Sequence, residues 1–243
     1  MKRHHIVPVC MAVACIPTLA WAEDYQNTDL QVFYTTRSKP DAVNGTGTSD
    51  EHLTSFRFEH YGTFKYGDNY FFADNYDGKD VGVPGVRDQQ YMAYMPRISL
   101  GKVIGRDLGF GIIKDVYLGA RLEYASYGSF HGTAIGPSFD LNVPGLDWSQ
   151  LRLFWQGTNY DSRRFYTHFA WGTAAPLFNR KVHFDGYFWT RLKDDGVRQW
   201  FGEPDITIDL DSKGTLQAGA RITFAKYKGY SRTSPQIITK WNF

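Results

Sequence analysis

Residues 116–124 read VYLGARLEY, with Val116, Leu118, Ala120, Leu122 and Tyr124 at every second place and Tyr117, Gly119, Arg121 and Glu123 between them. A period of two puts the first set on one face of an extended strand and the second on the other. The period recurs at 181–192, where Val182, Phe184, Gly186, Phe188, Thr190 and Leu192 oppose His183, Asp185, Tyr187, Trp189 and Arg191. At 215–225, Leu216, Ala218, Ala220, Ile222 and Phe224 oppose Gln217, Gly219, Arg221 and Thr223. Segments 30–36, 53–61, 68–74, 92–100, 133–142, 149–158, 164–173, 205–210 and 234–243 bring the prediction to about twelve strands, an even number as bacterial single-chain barrels use. The stretch 108–113 reads as a separate strand or a lumenal turn, and no helical period competes.

The connections fall into two sets. One holds 62–67, 101–107, 143–148, 174–180 and 211–214; the other holds the longer segments 37–52, 75–90 and 193–203, rich in Gly, Asp and Asn, with 160–163 as a short exception. Short turns at one end and long loops at the other describe an antiparallel barrel with both termini on the short-turn side.

Alternation alone does not say which face meets water, because a lipocalin-type barrel has the same period with its apolar face inward. Three features place the apolar face in lipid. Aromatic residues sit near the strand ends on that face, at Tyr124, Trp171, Phe224 and Trp241, as an interfacial girdle does. The opposite faces carry charges in mid-strand, at Arg57, Glu59, Arg97, Arg121, Glu123 and Arg191, which a lumen must pair. Finally, QIITKWNF (236–243) alternates to the last residue, with Ile238 the one apolar intruder on its polar face. The fold expected is an all-β antiparallel transmembrane barrel of outer-membrane type. On this assignment an Arg at Leu118 or Leu122 is more disruptive than Arg121→Leu.

Composition changes this picture in two ways. Residues 1–22 have a basic start at Lys2 and Arg3, a short apolar stretch, and Ala20 and Ala22 around Trp21, which predicts a cleaved secretory signal peptide and leaves 23–243 as a single barrel domain. Cys15 opens a lipoprotein alternative, although Ala12 is a poor lipobox start. Cys10 and Cys15 both leave with the signal, so disulfides, thiolate nucleophiles and Cys-held metals are excluded from the mature chain. Without Lys2 and Arg3 the 27 basic residues fall to 25, equal to the 25 acidic ones, and this balance argues against nucleic acid as a partner. No segment reaches ~18 uninterrupted apolar residues, yet a barrel strand buries only alternate residues in lipid, so a mean hydropathy of −0.42 does not imply a soluble protein.

The segments LTSFRFEHYGTFKYGDNYFFAD (53–74), YMAYMPRISLGKVIGRDLGFG (91–111), FDGYFWTRLKDDGVRQW (184–200) and the terminal KWNF resemble the nucleoside-specific channel-forming Tsx family and the related OmpK outer-membrane proteins of vibrios. The pieces P-R-hydrophobic-S at 96–99 and R-x-x-D-D-G-x-x-Q-W at 191–200 are the more specific ones. The resemblance implies a narrow outer-membrane barrel that passes nucleosides by diffusion over weak lumenal sites. It also implies periplasmic termini, recognition of Phe243 by the barrel-assembly machinery, and, in some relatives, phage or colicin reception at the outer loops. Glu59, Arg97 and Arg191 match charged positions of the family pattern, and Asp74 follows the second strand segment.

A nucleoside offers a flat π face and a hydroxyl edge, so a channel for it needs rings to stack on and ionised groups to hydrogen-bond, with stacking worth ~1–3 kcal/mol per base. The expected solute-contacting set in the lumen is Arg57, Glu59, Tyr61, Arg97, Tyr117, Arg121, Glu123, Tyr166, Asp185, Tyr187, Trp189 and Arg191. The same charges read equally as pairs that plug a closed structural or receptor barrel. An enzyme acting on lipid needs Ser, His and a carboxylate within reach; Ser129 and His131 fall in a predicted loop, and His168 and His183 point into the lumen. The aspartates at 194, 195, 205, 209 and 211 are turn or strand-end carboxylates with no His spacing to make a metal site. A non-enzymatic outer-membrane channel without cofactor or metal is therefore expected.

Overall fold

The structure, a computed structural model, describes residues 25–36, 52–78, 88–227 and 230–243. The expected signal peptide and most of the two long loops expected at 37–52 and 75–90 lie outside the described residues. Twelve strands follow one another: β1 (Tyr25–Thr35), β2 (Leu53–Phe64), β3 (Gly67–Gly78), β4 (Gln89–Ser99), β5 (Ile113–Ala125), β6 (Phe130–Leu141), β7 (Trp148–Thr158), β8 (Arg164–Leu177), β9 (Arg180–Leu192), β10 (Arg198–Asp209), β11 (Leu216–Tyr227) and β12 (Tyr230–Asn242). Each pairs antiparallel with its sequence neighbours, and β12 pairs with β1, so the sheet closes without an edge. Closure gives every strand a partner on both sides, the arrangement that lets a sheet cross hydrocarbon.

Each of the twelve predicted segments corresponds to one strand, and the differences lie at their ends. β10 begins at Arg198, inside the segment expected to be an outer loop, which shrinks that loop to 193–197. Gly202 pairs with both neighbouring strands and Pro204 with β9, which carries β10 through them. β1 begins at Tyr25, since YQNTD lacks an apolar alternate face to announce it. Residues 101–107 hold part of a short helix, α1 (Leu100–Ile104), capped by the Ser99 hydroxyl, which accepts from the Lys102 amide at 3.1 Å, and ended by Gly105 at φ 68°. The stretch 108–113 forms no separate strand; Phe110 and Ile113 make one isolated bridge, and β5 starts at Ile113.

Three prolines punctuate the ladders. The β4–β5 ladder skips the pairs between Tyr94↔Leu122 and Arg97↔Gly119, the β6–β7 ladder those between Ile135↔Trp155 and Ser138↔Arg152, and the β10–β11 ladder those between Gly202↔Phe224 and Asp205↔Arg221, with the register the same on both sides of each gap. Pro96, Pro137 and Pro204 sit in these gaps, where a residue without an N–H cannot donate to the neighbouring strand. Each gap lies beside a polar lumen residue, namely Arg97, Ser138 and Asp205.

The predicted faces are the observed ones. Leu118, Leu122, Tyr124, Ile206, Ile222, Ile237 and Trp241 are exposed on the outside, whereas Arg57, Arg97, Arg121 and Arg221 are buried inside. A soluble protein does not surround itself with so large an apolar belt over a charged interior. Ile238, the intruder on the polar face of β12, points inward and pairs with Phe33 of β1, both almost wholly buried. The inner wall is thus polar with apolar insets.

Candidate functional site

All twelve lumen candidates lie on inward-facing strand positions, and the structure sorts most of them into three groups. The first is an ion network. Arg57 donates to both oxygens of Asp74, at 2.6 and 2.9 Å, and reaches Glu203 at 3.3 Å. Arg221 lies 3.2 Å from the same Glu203 oxygen and also clasps Asp205 with two of its nitrogens. The hydroxyls of Tyr187 and Thr223 donate to Glu203 at 2.9 and 3.2 Å. Phe33 is sandwiched between the arginines, its ring centre 5.5 Å from the Arg57 guanidinium carbon and 4.0 Å from that of Arg221. Nearby, Glu59 accepts from Gln31 at 3.2 Å, and Lys240 pairs with Asp29 at 3.1 Å.

The second group closes the end of the barrel that carries both described chain ends. Arg97 pairs with Asp68 and, at 2.8 Å, with Asp140, donates to Ser138 at 3.2 Å, and lies 4.1 Å above the Tyr117 ring. Tyr117 donates to Asp140 at 2.9 Å and Tyr61 to Asp68 at 3.4 Å. Of these, Tyr61, Asp68, Tyr117 and Asp140 line a cavity of about 580 Å³ together with Lys102, Arg106, Asp107, Lys114 and Asp115. Helix α1 helps shape it, since Ser99 both caps the helix and donates to Asp115 at 2.8 Å.

The third group lines β5 to β9. Arg121 pairs with Glu123 at 2.8 Å and donates to the Tyr91 hydroxyl at 2.9 Å; Glu123 also accepts from Tyr91 and Gln156. Arg191 reaches Asp161 at 3.3 Å, an oxygen it shares with Lys193. Rings run along this wall: Tyr166 on His168 (6.2 Å, 29°), His168 on Tyr187 (5.3 Å, 14°), Tyr187 on Phe201 (6.2 Å) and Phe201 on Trp189 (5.4 Å, 18°). Phe154 packs below Tyr166, over Gly119, where an added Cβ would stand 2.9 Å from the Phe154 ring. Asp185 faces the lumen from β9, between His183 and Tyr187.

Asp68, Tyr91, Asp140, Arg152, His168, Glu203 and Arg221 also build the inner wall. Each falls on an inward-facing place of its strand, so alternation identifies the face, while the cross-strand register alone identifies the partner. Outside the membrane span, the Ser162 amide donates to Asp194 at 3.0 Å and holds its carboxyl below the usual range, joining the 159–163 and 193–197 loops. His131 Nδ1 meets the backbone carbonyl of Ser129 at 3.3 Å, not its hydroxyl, so the one Ser–His pair suggested by spacing is not a nucleophile with its base.

Among solved structures, the KdgM porin has a TM-score of 0.51 at 8% identity, covering 88% of this chain and 99% of that one. A second structure, the KdgM porin in complex with disordered oligogalacturonate, has a TM-score of 0.50 at the same identity. At such identity these likenesses speak for the fold alone. The outer membrane protein OmpK of Vibrio parahaemolyticus is 33% identical over 78 residues, 32% of this chain and 28% of that protein's length. The family model described as "Nucleoside-specific channel-forming protein, Tsx" matches residues 29–195, from the inward-facing Asp29 of β1 to the loop after β9. A closed twelve-strand barrel with an apolar outer belt and a charged, ring-lined interior, matched over most of its length by that model, belongs to the Tsx family of outer-membrane proteins.

Proposed function

We propose that the protein is an outer-membrane channel through which nucleosides or similar small ring-bearing solutes diffuse, with its chain ends and the 580 Å³ cavity on the periplasmic side. The observation that carries this reading is the ring ladder Tyr166–His168–Tyr187–Phe201–Trp189, which stands against ionised groups on one continuous inner wall. Rings accept the flat face of a base, while the carboxylates and guanidinium groups accept or donate to ribose hydroxyls. Such contacts must stay weak for the solute to leave. In this reading the residues transport and do not catalyse.

Planar-bilayer conductance with adenosine or thymidine added is the test. Nucleoside is expected to reduce the current, and Tyr187→Ala or Trp189→Ala to weaken that effect by roughly 5- to 150-fold in concentration, the equivalent of ~1–3 kcal/mol per stacked base. Absence of conductance, or conductance indifferent to nucleoside, overturns the reading. A second reading, a closed structural or receptor barrel, is favoured by the near-complete burial of Arg97 and Phe154. Liposome swelling separates the two, because a closed barrel passes no small solute. Phage or colicin reception would fall largely on the outer loops, most of whose length is outside the described residues.

A further inference from the structure

The inward-facing arginines differ in what neutralises them. Arg57, Arg97, Arg121, Arg191 and Arg221 each have a carboxylate within 4 Å. Arg152, on β7, has none among the described residues, although it is 4% exposed. Its contacts are His168 Nδ1 at 2.9 Å and Gln150 Oε1 at 2.6 Å, both uncharged acceptors, and its Nε has no partner. Because a guanidinium only donates, His168 must accept through Nδ1 and carry its own proton on Nε2. Arg152 and a neutral His168 therefore present donors to the lumen, and the adjoining wall adds more. The Tyr166 hydroxyl, Arg121 Nε, and Arg191 Nε and Nη2 are all buried without a hydrogen-bond partner.

Buried cations are normally paired, and buried donors are normally satisfied. Here one cation and several donors are left open on one wall, beside rings spaced for stacking. The register places Arg152 opposite Ser138, which also accepts from Arg97, so the open cation lies beside the arginine that holds Asp68 and Asp140 of the cavity lining. Displacing Arg152 breaks only hydrogen bonds to neutral acceptors, whereas displacing Arg57, Arg97 or Arg221 breaks ion pairs.

We propose that Arg152, with His168 and Tyr166, forms an oxyanion station: the carboxylate or phosphate of a small ring-bearing solute occupies the place of the missing counter-ion while its ring lies on the Tyr166–His168–Tyr187 ladder. The proposal rests on the channel reading above and adds a charge class to it. The Arg152 fork supplies two parallel donors suited to carboxylate and phosphate alike.

The test compares three solutes as blockers of single-channel current in planar bilayers: uridine, uridine monophosphate for the phosphate and orotate for the carboxylate. At least one of the anions is expected to half-block at a concentration tenfold or more below that of uridine. Arg152→Gln is expected to remove this difference, and Arg152→Lys, which keeps the charge but loses the fork, to retain part of it. Anions no better than uridine in the wild type, a comparison that needs no variant, overturn the station. So does an anion preference that survives in a folded Arg152→Gln channel. If uridine itself has no effect, or no current flows, the channel reading falls first and the station with it.

Discussion

On the side of the lumen formed by β2, β3, β10 and β11, Arg57 and Arg221 are held by Asp74, Glu203 and Asp205. On the side formed by β5 to β9, Arg121, Arg152 and Arg191 meet only Glu123 and Asp161, and Asp161 also serves Lys193. The buried donors without partners fall unevenly as well, with Arg121, Arg152, Tyr166 and Arg191 all on the second side. The first side is a structural clamp: its charges cross from strand to strand, and removing one strands another. The second is built of rings and donors with open valences. A barrel needs the first kind of wall to tie its strands together and the second kind if anything is to pass along it.

The comparison breaks most readily at Glu203, which serves two arginines and a tyrosine. Glu203→Gln is expected to cost about 3–5 kcal/mol, because it leaves Arg57 and Arg221 in a low-dielectric interior with a carboxylate fewer. Urea unfolding in lipid vesicles, followed by tryptophan fluorescence, measures this; a cost below about 1 kcal/mol would mean that the network is not a clamp. Arg121→Leu belongs to the same class. The face pattern made it the milder change beside Leu118 or Leu122, but the pairing with Glu123 reverses that order, since the leucine would leave a buried carboxylate without its cation. Leu122→Arg follows, at about 2–4 kcal/mol for a charge turned toward mid-bilayer. A smaller loss at Leu122 than at Arg121 in the same assay would establish that pairing, not face, sets the larger cost.

The fold was legible because a barrel in lipid writes a period of two into its strands. Leu118 and Arg121 could be assigned to opposite faces from VYLGARLEY alone. What was not legible is who holds whom. Arg57 pairs with Asp74 through the β2–β3 register, but Arg97 reaches Asp140 two strands away and Arg57 reaches Glu203 across the barrel. Pro96, Pro137 and Pro204 interrupt the ladders beside just such residues, but the registers resume unshifted, so counting along adjacent strands misses only the contacts that skip a strand. The same limit hides Arg152. In LRLFWQ it alternates with Phe154 and Gln156 like any lumen residue, and only the three-dimensional neighbourhood shows that no carboxylate comes to meet it.

The smallest expected effect sharpens the comparison most. Arg152→Gln removes a buried charge, as Arg221→Gln does, yet the two should differ by several kcal/mol in unfolding free energy. Losing Arg221 leaves Asp205 buried and Glu203 with one arginine, while losing Arg152 abandons no counter-ion. The variant gives up hydrogen bonds to His168 and Gln150, but it also relieves the desolvation of an unpaired guanidinium, and a Gln amide can still donate to one of the two acceptors. These terms oppose each other, so the net change is expected within about 1 kcal/mol of zero. Urea unfolding of the two variants side by side is the measurement. If Arg152→Gln costs as much as Arg221→Gln, Arg152 is part of the clamp, and the second wall has no open cation to offer a passing solute.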